Sequence, residues 1–153
     1  MADLNWQASV GEISVTSTAK SFIIVTAPTN QRLRFKGFEI FGKGTSNTDT
    51  PVKVELVRAA SLTGGTAGTA PTVTALDPDY AETIQSTVTG NYTAEPTYNT
   101  SSVLRTYECH PQTGITIYFP MHDEIKLKGG GVLGFRLTAN QTETMAFNVI
   151  FEE

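Results

Sequence analysis

Apolar side chains in this chain recur at every second residue, in short sets broken by turn signals. Val52, Val54 and Leu56 alternate with Lys53 and Glu55. Ile115, Ile117 and Phe119 repeat the pattern, as do Leu133, Phe135 and Leu137, and then Met145, Phe147, Val149 and Phe151. A period of two puts each set on one face of an extended strand, and no segment keeps a helical period over three turns. Leu33 and Phe35 share one parity while Phe38 and Ile40 take the other, with Gly37 between them. A β-bulge at Gly37 would return both pairs to one core.

Further strands are expected at Val10 to Thr16, Phe22 to Thr26, Val103 to Cys109 and Ile125 to Leu127. Eight or more short strands with frequent turns imply an all-β antiparallel sandwich. A jelly roll is the first expectation and an immunoglobulin-like sandwich the second, the latter weakened by the missing Cys–Trp–Cys pattern. With 153 residues the chain suits one sandwich domain over residues 9–153, preceded by an N-terminal arm over residues 1–8.

Between Arg58 and Arg105 there is no lysine or arginine, and the four charges, Asp77, Asp79, Glu82 and Glu95, are all acidic. This excursion over residues 59–102 is rich in Thr, Gly, Ala and Asn. Fixing a residue costs about 1–2 kcal/mol, so a tract with few large apolar groups is expected to be mobile or ordered by neighbouring chains. The one short helix expected in the chain lies at 77–84. Asp77 would be its N-cap and Pro78 its first residue, with acidic side chains near the positive end.

A net charge of −4 argues against a general nucleic-acid binder, which needs clustered cations. No run approaches the roughly 18 apolar residues of a membrane span. The first residues lack the basic and apolar regions of a signal peptide, so synthesis in the cytoplasm is expected.

Candidate chemistry is sparse. Cys109 and His110 are adjacent on an expected strand and so point to opposite faces, which does not suit a nucleophile and its base. His122, Asp123 and Glu124 resemble a solvated turn more than a metal site, and Asp77 with Asp79 lacks a third clustered acid for calcium. No catalytic residue, cofactor or metal ligand set is assigned, and the chain is expected not to be an enzyme. The candidates for an interface are Leu4, Trp6, Tyr80, Tyr92 and Tyr98. Their aromatic rings lie outside the best strands, and Trp and Tyr are frequent interface hot spots. The same rings could stack on sugars.

Several stretches together resemble a family. They are Ala27-Pro28-Thr29-Asn30 with Arg32-Leu33-Arg34-Phe35, Asn91 through Thr97, His110-Pro111-Gln112, Gly129 through Arg136, and Phe151-Glu152-Glu153. They are similar to small virion proteins of tailed bacteriophages that decorate or cement the head. The resemblance implies a homotrimeric jelly-roll subunit on the capsid surface, bound to the major capsid protein and stabilising the head against DNA pressure. The alternative is a tail, baseplate or receptor-binding module with carbohydrate affinity.

Overall fold

The computed structural model describes residues 4–43, 50–79 and 82–153. Thirteen strands are present among them. They are β1 Asn5–Val15, β2 Lys20–Thr26, β3 Leu33–Gly42, β4 Val52–Ala59, β5 Ser61–Thr63, β6 Thr72–Ala75 and β7 Thr87–Gly90. The rest are β8 Thr97–Asn99, β9 Ser102–Cys109, β10 Ile115–Tyr118, β11 Ile125–Leu127, β12 Val132–Thr138 and β13 Glu143–Glu152. No helix occurs among the described residues.

The strands form two antiparallel sheets. One has the order β10–β3–β13–β1–β6, with β11 also paired to β3, and the other β7–β2–β12–β4–β9. They pack face to face as a β-sandwich whose alternating side chains close the core. Phe38 of β3 meets Phe135 of β12 at 5.8 Å between ring centroids, and Phe135 meets Phe147 of β13 at 5.1 Å. Full burial of side chains of this kind contributes about 1.5–3 kcal/mol each.

The parity switch in β3 is a bulge, as its sequence implies. Phe151 pairs with Phe35 and Ile150 with Gly37, which leaves Lys36 as the extra residue. Leu33, Phe35, Phe38 and Ile40 are all buried as a result. A Cβ on Gly37 would stand 2.5 Å from the Ile117 carbonyl oxygen, so the close approach of β10 requires glycine there.

Two expectations require correction. Asn5 through Ala8 do not form an arm: they are the first half of β1, paired with Glu152 through Val149 of β13 and, from Trp6 on, with β6. The alternation Trp6, Ala8, Val10 explains this, because all three are buried. Nor does the excursion need neighbouring chains for its order. β6 extends one sheet beside β1, β7 extends the other beside β2, and β5 with β8 forms a ribbon. The expected helix at 77–84 falls partly on Tyr80 and Ala81, which lie outside the described residues. Around them, residues 77–79 are bends and turns and 82–85 are irregular. Asp77 Oδ1 accepts the Asp79 N–H at 3.0 Å, a local turn that Asp side chains favour.

Candidate interaction surfaces

The sheets' outer faces differ. Over β2, β12 and β4 the ribbon lies down on the sheet: Ile24, Ala59, Tyr92 and Val132 form a second apolar cluster, with Leu62 and Tyr98 packed against it. One carboxylate fastens the ribbon. Glu95 accepts the Ser21 N–H at 2.7 Å and the Ser21 hydroxyl at 2.6 Å. The Ser21 proton being thus committed, Tyr98 donates its own hydroxyl to Ser21 Oγ at 2.6 Å. Burial pushes the Tyr98 phenol well above its ordinary value. Beside it, Arg136 donates to Glu55 Oε2 through Nε at 3.0 Å and Nη2 at 2.7 Å. Burial alone would raise the Glu55 carboxyl, but its bonds to Arg136 and Lys53 outweigh that and hold it low.

Three of the expected interface aromatics, Trp6, Tyr92 and Tyr98, are therefore internal fasteners. Trp6 is 6% exposed within the core, and Tyr92 is 8% exposed with its hydroxyl 3.0 Å from Thr89 Oγ1. Tyr98 is half-buried over Gly134. Leu4 is half-buried against the core, its carbonyl accepting the Glu153 N–H at 3.1 Å. Tyr80 lies outside the described residues. Chain outside the main strands, made of turn formers and tyrosines, reads equally well as an interface or as an intramolecular cover.

Cys109 is buried opposite Val52, and burial pushes its thiol up to about 11, so it stays protonated near neutral pH. His110 Nδ1 accepts the Gln112 N–H at 3.2 Å in the following turn. His122 has φ 79°, and Asp123 stands 3.8 Å from Arg105. Among the described residues no group of three His, Cys, Asp or Glu side chains could hold a metal ion.

No strand covers the outer face of the six-stranded sheet among the described residues. Its register defines two rows across five strands. Tyr118, Gly37, Ile150, Gln7 and Thr74 form one; Thr116, Glu39, Asn148, Ser9 and Thr72 form the other. Phe41 and Ala146 begin a third row. Glu39 is the only charge in the two full rows, and it is engaged by the Tyr118 hydroxyl at 2.9 Å and Asn148 Nδ2 at 3.3 Å. That hydrogen bond raises the Tyr118 phenol. Tyr118 is 60% exposed and Phe41 47%. Charge depletion with exposed aromatics is the compositional mark of an interface core. The signal was present in the sequence as aromatic residues at the outward parity: Phe41 beside Ile40, and Tyr118 between Ile117 and Phe119.

No protein-family model, curated protein or solved structure gives a match to this chain.

Proposed function

We propose that the protein is a structural subunit of a tailed-phage virion, a head decoration protein that trimerises and binds the outer capsid surface. The observation that carries this reading is the pair of charge-poor rows on the outer face of the six-stranded sheet, with Tyr118 exposed in one and Phe41 exposed beside the other. A patch of this kind suits docking on another protein surface. Cations flank it in the next row of the same sheet, where Arg34 and Lys36 are paired with Glu152 and Lys126 lies opposite Arg34.

The strand order supports reading the sandwich as a jelly roll. β1–β13–β3–β10 faces β2–β12–β4–β9, with β5 through β8 inserted between the fourth and fifth of these eight strands. The sugar-stacking alternative loses its support, because Trp6 and Tyr92 are buried. Co-sedimentation with purified expanded heads tests the reading: the protein should pellet with the heads, and protein left wholly in the supernatant would refute it.

A further inference from the structure

At the open side of the sandwich, β9 of one sheet approaches β11 of the other. A half-enclosed cavity of about 380 Å³ lies there, lined by Arg58, Lys126, Lys128, Thr100, Ser102 and the Gly131 backbone among others. A second cavity of about 360 Å³ continues from it past Arg58 and Lys126 to Arg105 and His122. The two together carry four side-chain cations, Arg58, Arg105, Lys126 and Lys128, against two carboxylates, Asp123 and Glu124. Only Arg105 and Asp123 pair with each other; Arg58, Lys126 and Lys128 form no ion pair among the described residues. In a chain of net charge −4 this clustering stands out.

Backbone geometry adds a second observation. Three non-glycine residues have positive φ among the described residues, and two of them, Thr100 (φ 48°) and His122 (φ 79°), line this groove. A β-branched residue in the left-handed region is strained, and glycine would relieve it. Strain of this kind concentrates at functional sites. Thr100 keeps a hydroxyl beside Ser102 and the three unpaired cations where glycine would hold the turn at lower cost.

We infer that this groove binds a phosphate or sulfate ester, with Arg58, Lys126 and Lys128 neutralising the oxyanion and Thr100 and Ser102 donating hydroxyl hydrogen bonds. Arg presents its donors as a fork and Lys as a point charge, and together with two hydroxyls they suit a compact multivalent oxyanion. The groove lies at the sandwich edge and shares no residue with the two charge-poor rows, so the inference stands or falls separately from capsid docking.

The test is a titration of the full-length, ¹⁵N-labelled protein at low ionic strength with glycerol 3-phosphate and, separately, with a sulfated disaccharide. Saturable shifts confined to the amides around Arg58, Thr100, Ser102, Lys126, Lys128 and Gly131 are expected with at least one probe, and the tighter probe identifies the source of the ester. Arg58→Ala and Lys128→Gln should each weaken binding about tenfold, since each removes a charge-assisted contact. Thr100→Gly should raise the Tm yet weaken binding, whereas Lys20→Gln should change neither. Shifts spread over Lys20, Lys43 and Lys53, or affinities unchanged in all three groove variants, would overturn the site. So would binding of hexaglutamate there with neither ester bound.

Discussion

Gly134 faces outward from β12, and a Cβ built on it would overlap Tyr98 Oη and stand 2.6 Å from Tyr98 Cζ. A side chain at 134 must push the ring off the sheet and break its bond to Ser21. Gly134→Ala is expected to cost about 1–3 kcal/mol, the usual penalty of overpacking. In a Tyr98→Ala background the same change should be nearly neutral. Urea denaturation of the four proteins in this cycle checks the coupling, and additive costs would mean that the two residues do not meet. The sequence shows Gly134 inside a strand pattern, which signals a close backbone approach, and Tyr98 as an aromatic outside one. It does not show that these two features explain each other, because 36 positions separate them. Cys109 offers a second test at this scale. Its thiol is raised from an ordinary 9.0 to about 11, so the fold holds the proton more tightly than the unfolded chain. That contribution is complete below pH 9, and it is lost as the pH rises through 11. It amounts to at most about 2–3 kcal/mol, since each tenfold gain in proton affinity corresponds to about 1.4 kcal/mol. Cys109→Ala should therefore lose less stability than the parent between pH 9 and 11, and parallel pH profiles would contradict the assignment.

Strands with a buried face are legible in the sequence because alternation is local: β3, β4, β10, β12 and β13 all fall where period two puts them. Even the β3 bulge is encoded locally, by the change of parity around Gly37. The excursion is not legible in this way. Judged by apolar content it lacks the means to order itself, yet its stability comes from partners that lie far away in the chain. β1 and β2, which would be edge strands without the excursion, pair with β6 and β7, and a carboxylate among polar residues becomes the fastener for Ser21. Hydrogen bonds to a charged group contribute about 1.5–3 kcal/mol, so Glu95→Gln should loosen the ribbon substantially. Because the ribbon lies outside the main core, the loss should be local. Hydrogen exchange should quicken at Leu62, Tyr98 and Asn99, while the central strands β3 and β13 keep their protection. Unchanged exchange in the ribbon would show that Glu95 does not hold it.

For the whole molecule, the question is how strongly one charge-poor face can bind. Two rows across five strands, spaced at about 4.8 Å between strands, cover a patch of roughly 300 Å². A stable interface takes about 800 Å² from each partner, so a single patch of this size holds only weakly. Repetition changes that outcome. A trimer presenting three such faces to a symmetric shell turns the second and third contacts into intramolecular ones, with gains of about 10²–10⁴ in avidity. Head binding should accordingly depend on trimer formation, and an aspartate on the face should act three times over. Tyr118→Asp also places a second carboxylate near Glu39, now without the hydroxyl that engaged it. It should abolish pelleting with heads while leaving a trimer in light scattering, and Phe41→Asp should do the same at the other end of the patch. Both positions are well exposed, so thermal melting should stay close to that of the parent. A parent that scatters as a monomer would remove the avidity on which this argument depends. Full pelleting of both variants would show instead that the heads are gripped by some other surface.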